Sequence, residues 1–341
     1  MTTLSKPPVV IQRAYMRLLF IVLMTFSFQA TSTESQGNYP VEEVVVFGTR
    51  PGPELWKVSN GENVLWVLGT LSPLPKRMTW HSELVGAVIE GSQVLLFPPS
   101  LSVSADVGFF QKLSLVTSVI GIKKNPDKKK LKDVVPEDLY TRWLVLKKKY
   151  IGNDRGVEKV RPIFASNKLF EKAIAKIGLT NNTKVEKKVR KIAKKNKLEF
   201  VTPTVKIDLD KPKATLKKFK KSQISDLECF SKTLDRLETD LKSMRLRAFA
   251  WAAGDVSKMR GLQYPNQNKA CSSAILNNDI AEDIGMTDIR LRLRQLWLEE
   301  ATKALTNNQS TFAILPISNL LGSESYLDFL TAQGYTVDVP K

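Results

Sequence analysis

One imidazole serves the whole chain of 341 residues: His81, in the run Met78-Thr79-Trp80-His81-Ser82. A hydrolytic metal site needs about three protein ligands, mostly imidazole nitrogens and carboxylates, with one further position open to water. No site built on two histidines can therefore be assembled within a single copy of this chain. A Ser-His-Asp triad would have to recruit His81 itself. That histidine precedes Leu84 and Val88, whose spacing is helical, and it reads as a surface residue of a first helical turn. The phosphate-cradling loops Gly-x-Gly-x-x-Gly and Walker A are absent, as is Gly-x-Ser-x-Gly, so nucleotide binding has no sequence support. Paired carboxylates of the glycosidase kind come from distant strands, so spacing neither excludes nor suggests them. The two cysteines, Cys229 and Cys271, fit no Cys-x-x-Cys metal pattern. They read either as a disulfide or as two free buried thiols. A disulfide would close a loop of about 43 residues and contribute roughly 4 kcal/mol on the chain-entropy estimate.

Two stretches carry a more specific signal. Residues 55–80 read LWKVSNGENVLWVLGTLSPLPKRMTW, and residues 311–337 read TFAILPISNLLGSESYLDFLTAQGYTV. Together they resemble the opening and closing segments of the TraB/GumN family, relatives of the Tiki-type proteins to which metalloprotease activity is ascribed. In that family each segment ends a strand with Gly-x-x-His, and the resemblance implies that the two histidines meet in one cleft. Here the first copy reads Gly69-Thr70-Leu71-Ser72 and the second Pro316-Ile317-Ser318-Asn319. A serine hydroxyl stays protonated near neutral pH and ligates transition metals poorly, and an asparagine offers only a neutral amide oxygen, better suited to hard cations. The family's acidic residue falls near Phe97 or Pro98, and a later one near Thr202-Pro203-Thr204, none of them carboxylates. Where relatives carry Arg-Asn ahead of the tryptophan numbered Trp297 here, this chain has Leu293-Arg294. The resemblance thus implies a degenerate member with no catalytic residue, no metal ligand and no cofactor.

The elements that must position these residues follow from periodicity and punctuation. A hairpin is expected over 55–71, with Asn60-Gly61 at its turn, then a helix over 82–90 and a buried strand over 93–97 closed by Pro98-Pro99. Val185, Val189, Ile192 and Ala193 share one face of a helix whose other face is Lys184, Lys187, Lys188, Lys191, Lys194 and Lys195. A short strand is expected over 199–205. Leu227, Phe230, Leu234, Leu237, Leu241, Met244, Ala248 and Trp251 alternate three- and four-residue spacings, which predicts one long core helix over 222–253 ended by Gly254. A helix over 288–306, a strand over 311–315, a helix over 324–333 and a strand over 335–339 complete the chain. The fold class expected is α/β, a mixed β-sheet flanked by helices, with the domain running over 54–340 and a lysine-rich, mostly helical insertion over 101–222.

Charge is concentrated in the middle. Residues 123–221 hold 31 Lys and Arg against 11 Asp and Glu, a net of +20, within a whole-chain charge of +18. Such a lobe attracts polyanions, with Lys187, Lys191 and Lys195 as the candidate face. It reads equally as a solvated surface whose weak binding vanishes between about 50 and 200 mM salt. Arg13 and Arg17 precede an apolar run over 18–28 and then Ala30-Thr31-Ser32, the three parts of a secretory signal with cleavage after Ser32. Met16 is an alternative start. The apolar run is about eleven residues, short of a bilayer span, so no transmembrane segment is expected in the mature chain. Residues 33–53 read as a linker and edge strand, and 42–50 resemble the first plug strand of TonB-dependent receptors, a segment that adds to a partner's sheet. The function expected is that of an exported, periplasmic or secreted, catalytically inactive binding or scaffolding module for a protein or envelope component. A hydrolase with a rebuilt, histidine-free cleft and a polyanion-binding protein are the alternatives.

Overall fold

A computed structural model describes residues 52–105, 121–182, 184–222, 224–262, 267–276, 279–322 and 325–340. The signal segment and residues 42–50 lie outside them. The hairpin forms as its sequence dictates: β1 (Leu55–Asn60) and β2 (Asn63–Thr70) pair antiparallel, and Gly61 at the turn takes a φ of 60°. The two-residue strand β3 (Leu74–Pro75) follows, then α1 (Glu83–Glu90), β4 (Val94–Leu96) and β5 (Ser100–Ser104). His81 stands two residues ahead of α1 rather than within its first turn, partly exposed, with its Nδ1 4.0 Å from the Glu83 carboxylate.

The basic middle supplies α2 (Glu137–Tyr150), α3 (Pro162–Lys176), β6 (Leu179–Thr180), α4 (Val185–Lys195), β7 (Glu199–Val201), β8 (Thr204–Asp208) and α5 (Pro212–Lys221). Where one strand was expected over 199–205 there are two. Thr202-Pro203 ends β7, because proline has no N–H to give to a ladder. The partner chain segment turns at the same level through Pro98-Pro99, so β4 with β7 and β5 with β8 form two successive parallel pairs.

The expected long helix is also two: α6 (Leu227–Thr239) and α7 (Leu241–Ala253), broken at Asp240. At the break the buried Asp240 carboxylate accepts from Arg236 and Arg247. One residue of break leaves the Leu237, Leu241, Met244 spacing intact, so periodicity cannot see it. Gly254 does end α7, at φ 75°. The remaining elements are α8 (Val256–Gly261), α9 (Gln267–Leu276), α10 (Asp279–Asp283), α11 (Ile289–Asn307), β9 (Ser310–Pro316), α12 (Ser318–Leu321), α13 (Tyr326–Ala332) and β10 (Thr336–Asp338).

The main sheet runs β10-β1-β2-β9-β4-β7, with β2, β9, β4 and β7 mutually parallel and the β10 and β1 ladders antiparallel. This is the mixed α/β architecture that the sequence leads one to expect. In β9 every residue from Thr311 to Leu315 is buried, as a central parallel strand covered on both faces requires. The main core joins these strands to α1, α4, α7, α11 and α13. A second core gathers Leu131, Trp143, Leu146, Leu169 and Phe170 with Phe230, Leu234, Leu237 and Met244. The helical pair α6–α7 therefore spans two cores, since Ala248 and Trp251 belong to the first. Cys229 on α6 and Cys271 on α9 stand 4.4 Å apart between Cα atoms with their sulfurs in bonding contact, a geometry that admits a disulfide.

Candidate functional site

Parallel strands of an α/β sheet open a crevice at their carboxyl ends, and a cleft of this molecule lies there. It has a volume of about 1120 Å³. Pro98 and Pro99 follow β4, Pro316, Ser318 and Asn319 follow β9, and Leu293 and Arg294 come from the first turns of α11. Pro98, Pro316, Asn319, Leu293 and Arg294, all singled out in the sequence, are thereby gathered around one space. Ser72 is not among its lining residues. Its hydroxyl donates instead to Asn181, at 3.2 Å from Oδ1. The strand ends themselves are adjacent: Thr70 pairs with Pro316, and the Ile317 amide donates to the Thr70 carbonyl at 2.8 Å.

Gly69 has a packing reason of its own. A β-carbon there would sit 2.8 Å from the Trp56 ring and 3.1 Å from both Ile317 and Leu320. Its carbonyl accepts the buried Trp251 indole N–H at 2.6 Å, which pins α7 to the end of β2. Phe97 is buried, with the Arg190 guanidinium 3.9 Å from its ring centroid, so that position presents no ligand.

The polar groups of the cleft are largely engaged. Arg294 stacks on Phe329 at 4.2 Å, and Arg290 donates to Ser273 and to the Lys269 carbonyl. Tyr326 is nearly buried beside Trp297, ring centroids 5.5 Å apart. Burial pushes its phenol above the ordinary value while Arg294 opposes. Carboxylates also line the space: Asp279, Glu282 and Asp288, the last at a φ of 52°. Sequence reasoning missed all three together with Tyr326. The carboxylates come shortly before α11 and Tyr326 opens α13, positions that periodicity does not weigh.

The chain matches the TraB/PrgY/gumN family over residues 54–339. It belongs to that family. No curated protein and no solved structure matches it. The hydrolytic metal that the family resemblance implies does not fit the donors present. Ser72 faces Asn181, Phe97 lies under Arg190, and among the described residues no three side chains of His, Cys, Asp or Glu come together to hold an ion. No helix among the described residues is long and apolar enough to cross a membrane.

The lysine helix α4 is oriented as its amphipathic pattern requires. Val185, Val189 and Ala193 enter the main core, and Lys187, Lys191 and Lys195 are exposed on the other side. This face shares no residue with the cleft.

Proposed function

We propose that this TraB/PrgY/gumN family member is an exported protein whose family cleft has lost its catalytic chemistry and serves as a binding or scaffolding module in the cell envelope. The observation that carries this reading is the donor set of the cleft. The strand ends that would present ligands carry Pro98, Pro316 and Asn319, and the serine at the end of the hairpin is turned to Asn181. At those strand ends a neutral amide and two prolines can orient and pack a partner but supply no ligand for a hydrolytic metal. Export rests on the tripartite pattern ending at Ser32 and is favoured by a cysteine pair positioned for a disulfide, a bond that persists in oxidising compartments.

The test is metal content and hydrolysis together. Purified mature protein is expected to hold no stoichiometric zinc, manganese or cobalt by elemental analysis, and added metal is expected to elicit no peptide hydrolysis. One bound equivalent lost on substitution of Ser72 or Asn319 would overturn the reading. The rival is a hydrolase with a rebuilt cleft, favoured by the carboxylates Asp279, Glu282 and Asp288. It requires metal-independent turnover that is abolished by Glu282→Gln or Asp279→Asn.

A further inference from the structure

Helix α4 and its N-cap present Lys184, Lys187, Lys188, Lys191, Lys194 and Lys195 in one arc, every one of them exposed. The only acid of the helix, Glu186, is paired with Arg190. Among the described residues no carboxylate lies within ion-pair distance of any of the six lysines. Lys191 alone has Lys187, Lys188, Lys194 and Lys195 three or four residues away, a spacing at which like charges destabilise a helix. A surface selected only for solubility would intersperse acids at those positions.

Folding adds what the sequence did not show, because aromatic rings flank the arc on both sides. The Lys188 ammonium sits 4.8 Å from the Trp80 ring on one flank. On the other, Arg190 lies 3.9 Å from Phe97 and 5.6 Å from Phe200, and Phe200 on edge strand β7 is 38% exposed. With its apolar face sunk in the core, α4 turns the lysine face outward.

We propose that this face docks the protein on an anionic phospholipid surface. The six exposed charges lie on one side of one helix, where a charged plane can meet them together, whereas a linear polyanion is held in a groove that tracks its backbone. Lysine ammoniums are hydrated point charges on flexible stems and suit diffuse headgroup charge, while directed recognition of single phosphates or carboxylates favours the arginine fork. The partly exposed Trp80 indole and the exposed Phe200 ring at the flanks suit the depth at which headgroups give way to acyl chains. The proposal stands apart from the reading of the cleft and fails or holds independently of it.

The test uses the full mature chain and sedimentation with vesicles of roughly one-third phosphatidylglycerol in phosphatidylcholine, at roughly 0.1 M salt, where charges are screened beyond about 10 Å. Binding is expected to these vesicles and not to pure phosphatidylcholine. Each lysine near such a surface is worth about a fivefold factor, so K187E/K191E/K195E is expected to lower the partition at least ~100-fold. The control is an equal reversal in α5, K213E/K217E/K221E, where all three lysines are exposed and have the same spacing but the helix is tied to an acid through Lys218 and Asp283. That variant is expected to stay within a few-fold of the parent, and both triples to unfold cooperatively. Equal loss in the two triples would reduce the effect to diffuse charge and overturn the assignment. So would the absence of vesicle binding, including the case in which heparin or duplex DNA is retained at 0.2 M salt instead.

Discussion

Gly69 shows how a residue of a chemical motif can be required for packing alone. The space for its β-carbon is taken by the Trp56 ring, Ile317 and Leu320, all buried. Gly69→Ala is therefore expected to destabilise the fold by about 1–3 kcal/mol, read from the shift of the urea midpoint, since an aromatic wall cannot recede as a flexible side chain can. An unchanged midpoint would mean that the strand end is looser than these distances. Asp226 makes a second residue-level case. It is buried, accepts the Ile163 amide at 2.8 Å, and its burial raises the carboxyl above the ordinary 3.8, with that hydrogen bond and Arg161 opposing. Above pH 3.8 the unfolded chain releases this proton first, so the folded state binds more protons and stability attributable to Asp226 falls as pH rises through the window up to its folded value. Asp226→Asn keeps an acceptor for Ile163 and removes the titration. The stability of the parent relative to D226N is expected to decline from pH 3.5 to 6, and a difference independent of pH would refute the assignment. At this scale the sequence was informative about identities and silent about directions. That Ser72 and Asn319 stand where the family resemblance expects histidines could be read, but that Ser72 turns to Asn181 depends on a lobe more than a hundred residues away.

Among the elements, those set by local chemistry were legible and two interruptions were not. The Asn60-Gly61 turn, the apolar face of α4 and the Gly254 stop follow from turn propensity, period and left-handed φ. The break of the expected long helix falls at the buried Asp240, whose carboxylate bonds Arg236 and Arg247, and the apolar spacing across it gives no sign of the interruption. The division at Pro203 was visible as a proline but was outweighed by the β-branched residues on either side. Two predictions belong here. Lys191→Glu turns four like-charge neighbours into attractive ones and is expected to stabilise the protein by about 1 kcal/mol at low salt while weakening vesicle binding. A loss of stability would show that the lysines are already compensated. Cys229 and Cys271 join α6 to α9, and titration of the unfolded, non-reduced protein is expected to find no free thiol. Reduction should then lower stability by up to roughly 4 kcal/mol, the closure term for this loop; two titratable thiols would show the pair to be unbonded.

For the molecule as a whole, the order of strands in the sheet has a consequence in time. β9 lies between β2 and β4 and hydrogen-bonds to both, yet it begins at Ser310, more than two hundred residues after β4 has been made. Until that strand leaves the ribosome, the hairpin and β4 have no common neighbour and the sheet has a hole at its centre. Nothing made earlier can fill it, and closing it carries the slow, long-range loop entropy of distant parallel pairing. The centre of the sheet thus stays open on the nascent chain until β9 has been made, and everything between β4 and β9 must be synthesised while that gap persists.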